Sequence, residues 1–190
     1  MYQLKITVDE LTPDIWRTIQ LPESYSLYKL HHIIQIIFGW ENTKIWCFWN
    51  TDVPTTNPWL WGGGGTMWDK QVKIKSVLME VGDKLPYVYG RGDEYWNHKI
   101  VLEKIDAGII KGARCLDGAG AVIEDCGGVE GYNEIQYRLS HPEIDGYLSL
   151  LMVLGDEFSA EHIELKEVNG KLKGLVNYIK EFDEGHGLVF

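Results

Sequence analysis

The nineteen residues from Arg114 to Tyr132, RCLDGAGAVIEDCGGVEGY, hold Cys115, Cys126, Asp117, the pair Glu124-Asp125 and five glycines. Thiolates and carboxylates in one short run offer three chemistries. The first is metal ligation, but a self-contained zinc site brings its cysteines in close C-x₂₋₄-C pairs. Cys115 and Cys126 have ten residues between them, so a metal would need further ligands from elsewhere, His98 among them. The second is nucleophilic attack by Cys126, which precedes Gly127-Gly128 and a helical pattern. A helix N-terminus favours a thiolate. The third is an ordered loop, with glycines at positive φ, acids capping amides and cysteines packed inside.

A second constellation lies upstream. Asp93 and His98 are five residues apart and could work as an acid/base pair, or ligate a metal with a third group. The competing expectation is that His98 is a core histidine, because it shares one strand face with Trp96, Ile100 and Leu102. Asp93, Trp96, His98, Cys115, Asp117, Glu124, Asp125 and Cys126 thus form the candidate site. Elsewhere no serine sits in a nucleophile elbow, no HExxH occurs and no G-x-G-x-x-G follows a strand. No metal ligand set and no cofactor is assigned.

The elements that would position these groups can be read from periodicity. Tyr2, Leu4, Ile6 and Val8 alternate with polar residues, the period-two mark of a half-buried strand. Thr12-Pro13-Asp14 supplies a turn, and Ile15 to Leu21 reads as an antiparallel partner. A helix follows, capped by Ser26, with Leu27, Leu30, Ile34 and Ile37 on one face and Gly39 as its stop. His31 and His32 fall inside it about 100° apart, and one is expected at its polar edge and the other exposed. Ile45 to Asn50, Val72 to Ser76, Leu85 to Tyr89 and Trp96 to Leu102 read as further strands, the Val72 run as an edge strand with a basic face. After Tyr132 the pattern turns helical. Ser140-His141-Pro142-Glu143 has the spacing of a capping box. It predicts a helix with Ile144, Tyr147, Leu148, Leu151 and Leu154 as its buried stripe and Gly155 as its end. A last helix runs through Val168, Leu172, Leu175, Ile179 and Phe182.

Segregation of strands before helices predicts an α+β fold. A mostly antiparallel sheet from residues 2–105 would be packed by one early helix and a C-terminal set of helices, in one domain over 1–190. Residues 51–70 stand apart: TDVPTTNPWLWGGGGTMWDK has too many prolines and glycines for a regular element. Its glycine quartet is not a P-loop, because no Lys-Ser/Thr follows it. Trp59, Trp61 and Trp68 in this loop are candidates for partner contact.

Charge narrows the partners. The net charge is −10, with nine Lys/Arg against eleven Asp/Glu in residues 1–95 and nine against seventeen in 96–190. Gripping phosphates needs clustered basic residues, and the densest cluster is Lys70, Lys73 and Lys75, so direct nucleic-acid binding is not expected. No apolar run approaches the roughly 20 residues of a membrane span. Three scattered cysteines fit a reducing compartment, and a cytoplasmic location is expected.

Three blocks resemble one family: YQLKITVDELTPDIWRTIQLPESYSLYKLHHIIQIIFGWEN, YVYGRGDEYWNHKIVLEKI and RCLDGAGAVIEDCGGVEGY. Their order and composition are similar to the plasmid pRiA4b ORF-three-like family. Members read Y-x-Y-D-F-G-D-x-W-x-H in the second block, where this chain has Gly90-Arg91 for Asp-Phe and one extra residue before Trp96. In the third, the run Ala121 to Asp125 is one residue shorter and lacks the family's middle cysteine and both prolines. Trp16, Arg17, Asp93, Trp96, His98, Cys115, Asp117, Glu124, Asp125, Gly127 and Gly128 match the family pattern. The resemblance implies an α+β fold and no particular reaction.

The function expected is therefore a cytoplasmic interaction or ligand-binding module, its partner a protein or small molecule. The alternative is a small metal-assisted or acid/base hydrolase in which Asp93, His98, Glu124 and Asp125 converge. Composition leaves the oligomeric state open.

Overall fold

The computed structural model describes residues 1–49, 70–92, 94–154 and 163–185. Asp93 and the loop tryptophans Trp59, Trp61 and Trp68 lie outside the described residues. The fold is α+β. Among the described residues six strands form one antiparallel sheet: β1 (Tyr2–Val8), β2 (Ile15–Leu21), β3 (Trp46–Phe48), β4 (Lys84–Arg91), β5 (Glu94–Ile105) and β6 (Arg114–Ala119). Their order is β3-β4-β5-β1-β2-β6. The register pairs Val8 and Tyr87 with His98 on either side of β5, and Tyr89 with Trp96.

Alternation puts Leu4, Ile6, Ile19, Trp96, His98, Ile100 and Leu102 on one inner face. Each such aliphatic side chain contributes about 1.5–3 kcal/mol when fully buried. Helix α1 (Leu27–Phe38) covers that face. Ser26 accepts from the Lys29 amide at its start, and Gly39 closes it at φ 74, a conformation that suits glycine. A second layer seals α1 from the other side, because α4 (Leu165–Lys173) and α5 (Leu175–Gly185) pack on it. Tyr178 and Phe182 of α5 meet the His32 ring edge-on, at 5.7 and 4.9 Å between centroids. His31 and His32 are both 0% exposed, which corrects the expectation of an edge and an exposed histidine. A single apolar stripe predicts one covered face, and α1 has two.

Other expectations are also corrected. The sheet does not end near residue 105, since Arg114–Ala119 adds the edge strand β6 beside β2. Ile74–Ser76 is a short 3₁₀ turn instead of an edge strand. Ser140 closes α2 (Gly128–Leu139), its hydroxyl donating to the Tyr137 carbonyl at 2.8 Å, and does not open the next helix. That next helix, α3 (Tyr147–Leu154), begins later than the capping pattern implied and has no fully buried residue: of the expected stripe, Ile144, Tyr147, Leu151 and Leu154 are half-buried and Leu148 is exposed. The last helix is two, broken at Gly174.

Candidate functional site

The signature run is half strand and half connector. Arg114–Ala119 is β6, residues 120–127 turn, and α2 starts at Gly128. Gly131 in the first turn of α2 has no room for a side chain, because a Cβ there would overlap the Cys126 carbonyl oxygen. That close approach locks the connector against the helix.

Glu124 is the connector's anchor. Its Oε1 accepts from the Tyr89 hydroxyl and its Oε2 from the Glu41 amide, each at 2.5 Å. The Tyr89 oxygen in turn accepts from the amides of Thr43 at 3.0 Å and Lys44 at 3.2 Å. Burial and then the Glu124 contact push the Tyr89 phenol above its ordinary range, so it donates and does not ionise. Asp125 pairs with Lys44 Nζ at 2.7 Å, and Glu94 pairs with the same ammonium at 3.2 Å. Burial pulls Lys44 down, but its bonds to Asp125 and Glu94 outweigh that and raise it. Both carboxylates are largely exposed, so these pairs are worth at most about 1 kcal/mol each. An open cleft of about 400 Å³ lies beside them, lined by Thr43, Lys44, Ile45, Arg91 and Glu94.

His98 does not join this surface. It is 1% exposed, enclosed by Phe38, Trp40 and Tyr87 at 5.1–5.4 Å between ring centroids. Its Nδ1 donates to the Trp96 carbonyl at 3.1 Å. Burial pushes its pKa down to about 3 against the support of backbone groups, so the ring is neutral and closed to solvent. Trp96 is wholly buried beside Trp40 and Tyr132.

The cysteines part company. Cys115 is buried on β6, and Asn169 of α4 takes its N–H and its carbonyl at 2.9 Å each. Burial raises the Cys115 thiol despite Arg17 nearby. Cys126 points its Sγ at the carbonyls of Ile123 at 3.1 Å and Gly128 at 3.6 Å. Burial pushes this thiol up to about 11, the reverse of the helix-activated thiolate. Asp117 is exposed and folds back onto the Gly118 amide at 2.9 Å. Among the described residues no three His, Cys, Asp or Glu side chains are placed to hold a metal ion, and no helix is long and apolar enough to cross a membrane.

The candidate residues thus divide into a surface group, Glu124 and Asp125 with Lys44, and a core group, Trp96 and His98. Tyr89, Lys44 and Asn169 carry much of this arrangement and have no local sequence signal. The pairs Tyr89–Glu124, Tyr89–Lys44 and Lys44–Asp125 lie between 35 and 81 residues apart in the chain.

Buried Arg17 completes the frame. It is 3% exposed and donates to the carbonyls of Ile37, Trp16, Ala119 and Gly120 at 2.7–3.0 Å. One side chain thereby ties the end of α1 to the start of the connector. An antiparallel α+β sheet, an arginine clasp and an acid-anchored connector define the class of protein. The chain belongs to the plasmid pRiA4b ORF-3-like protein family, whose model matches residues 1–167. It is similar to an uncharacterised protein, y4hQ, of Sinorhizobium fredii, at 31% identity over 143 residues, covering 74% of this chain and 73% of that protein. It is also similar to the crystal structure of a protein of unknown function, MM3350, from Methanosarcina mazei. That match has 31% identity and a TM-score of 0.71, and covers 87% of this chain and 96% of the other.

Proposed function

We propose that this protein is a non-catalytic interaction module that docks a protein partner on helix α3. The observation that carries this reading is that Tyr147–Leu154, YLSLLMVL, has no buried residue. Leu148, Met152 and Val153 are 73%, 85% and 84% exposed. Single exposed apolar residues are ordinary, but a contiguous patch points to a binding surface. The occupant is a protein with an apolar groove and a basic rim. Glu143 and Asp145 stand exposed just ahead of the helix, within the half of the chain that carries nine Lys/Arg against seventeen Asp/Glu. A second copy would set these acids against their own kind, which costs affinity. The mode is a helix laid in a groove.

The hydrolytic alternative needs an accessible base. His98 is enclosed and neutral, and Glu124 is engaged by Tyr89 and the Glu41 amide, which supports binding over catalysis. Cys47, Cys115 and Cys126 are not joined in disulfides, which supports the reducing cytoplasm as its location.

A photo-crosslinking residue at Met152 in the intact protein in cells tests the reading, with the captured protein then purified and titrated. One defined protein should be captured, its affinity falling at least 10-fold on Leu148→Asp and declining with salt, while thermal stability stays unchanged. Crosslinking only to a second copy, or an affinity indifferent to Leu148→Asp, would overturn it.

A further inference from the structure

The open cleft of about 400 Å³ lies where the end of the β4–β5 hairpin meets the 41–45 loop, lined by Thr43, Lys44, Ile45, Arg91 and Glu94. That volume falls within the range of small-molecule sites, about 300–1,000 Å³. Its two walls are tied together. The Gly90 amide donates to the Ile45 carbonyl at 2.7 Å, and the amides of Thr43 and Lys44 share the Tyr89 hydroxyl. Gly90 sits at φ 97, and a Cβ there would overlap the Glu94 carbonyl oxygen, so the two strands close tightly beside the cleft. A site with fixed walls loses little freedom when it is occupied.

The charged groups around this cleft are accessible and unevenly paired. Arg91 and Glu94 are opposite each other in the hairpin register, which sets their Cβ atoms about 4.5–5.5 Å apart. Yet they form no ion pair. Glu94 turns its Oε2 to Lys44 at 3.2 Å, and Asp125 brings its Oδ1 to the same ammonium at 2.7 Å. The Glu94 and Asp125 side chains are 62% and 72% exposed. Arg91 is exposed too, and its side chain has no hydrogen bond or ion pair among the described residues. Lys44, Arg91, Glu94 and Asp125 set two cations against two carboxylates, so a simple anion or cation meets as much repulsion as attraction. A guest that carries both charges close together does not.

We propose that this cleft binds a free α-amino acid with an apolar side chain. The guest's carboxylate accepts from the fork of the Arg91 guanidinium, which matches its two oxygens. Its ammonium donates to Glu94 Oε1, the oxygen that does not bond to Lys44. A single carbon separates the two charged groups of the guest, and the cross-strand spacing of Arg91 and Glu94 suits so short a span. Ile45 gives the side chain an apolar wall. A peptide terminus carries only one of the two charges and is disfavoured. The cleft uses none of α3, so it is independent of the docking face.

The test is an NMR titration of ¹⁵N-labelled full-length protein with L-leucine, read at the backbone amides of Thr43, Lys44 and Ile45. These resonances should shift and saturate at millimolar L-leucine. L-leucinamide lacks the carboxylate and N-acetyl-L-leucine lacks the ammonium. Each should bind at least about 10-fold more weakly, the worth of one hydrogen bond to a charged group. Arg91→Gln alters an exposed side chain without a partner, so the variant should keep its thermal midpoint and weaken L-leucine by a similar factor. The two blocked compounds act on the unaltered protein, so that comparison does not depend on how the variant folds. No saturating shift at millimolar L-leucine, equal binding of either blocked compound, or binding unchanged in a folded Arg91→Gln would each overturn the proposal.

Discussion

The side-chain amide of Asn169 holds both backbone groups of Cys115, accepting from its N–H and donating to its carbonyl, each at 2.9 Å. The same Nδ2 also donates to the Leu165 carbonyl at 2.8 Å. The amide acts as a one-residue partner strand along the outer edge of β6. Unpaired strand edges invite pairing with other chains, and α4 covers this one by side chain instead of backbone.

Asn169→Leu removes both bonds and keeps the bulk. It should destabilise the protein by roughly 1–3 kcal/mol, the cost of leaving buried backbone groups unpaired. Hydrogen exchange at the Cys115 amide should accelerate well beyond the change in global stability, and the variant should aggregate at lower protein concentration. Unchanged protection of Cys115 would show that the amide is not what closes the edge.

Acid should unfold the protein earlier than its carboxylates alone would require. An unfolded imidazole protonates near pH 6.5, whereas burial holds folded His98 down to about 3. Burial, and then the neighbouring His32, hold His31 well below its ordinary value too. Between these limits the unfolded chain binds more protons, so this stability is present above pH 6.5 and declines as pH falls toward 3. Each unit costs about 1.4 kcal/mol per histidine at most. Urea midpoints between pH 7.5 and 4.5 check this. His98→Phe should flatten the slope, and an unaltered slope would rule His98 out as its source.

Much of this fold was legible because local patterns and tertiary packing agree. β1, β2 and β5 alternate, and α1 has both its serine cap and its glycine stop, so each was read close to its true bounds. β6 is hard to see in the sequence because its backbone partner β2 lies far upstream in the chain, and because LDGA has no alternation. Two buried histidines in α1 were invisible to periodicity, since the second covering layer is supplied by residues near 178 and 182. In the candidate site, the separation of His98 from Glu124 could not be seen from spacing. It depends on β5 turning His98 inward while the connector clamps Tyr89 from outside. The exposure of α3 was missed for the opposite reason: an apolar run is read as core unless the space around it is known.

Cys126 offers a chemical test of the connector. Its thiol is pushed up to about 11 by burial, with Lys44 opposing. Since the thiolate is the reactive form, iodoacetamide at pH 7.5 should modify Cys126 at least 10-fold more slowly than the same residue in urea. Site-resolved mass spectrometry separates it from Cys47 and Cys115. A rate equal to the unfolded one would mean an accessible, activated thiol and would revive the nucleophile reading.

The bond between Tyr89 and Glu124 is the last link to test, because it joins β4 to the signature connector and holds the 41–44 loop between them. Tyr89→Phe strips Glu124 of its donor and leaves the amides of Thr43 and Lys44 without the hydroxyl they share. A loss of roughly 1.5–3 kcal/mol is expected, as for hydrogen bonds to charged groups. Glu124→Gln keeps an acceptor but loses the charge and should cost less. Residues in one network are not additive, so the double variant should reveal a coupling energy of roughly 0.5–3 kcal/mol. Exchange at the Thr43 and Lys44 amides should quicken in Tyr89→Phe. Lys44→Met, which deletes only the exposed ion pairs with Asp125 and Glu94, should leave them slow. If the two single losses simply add, the hydroxyl and the carboxylate act separately and the connector is not clamped through Tyr89.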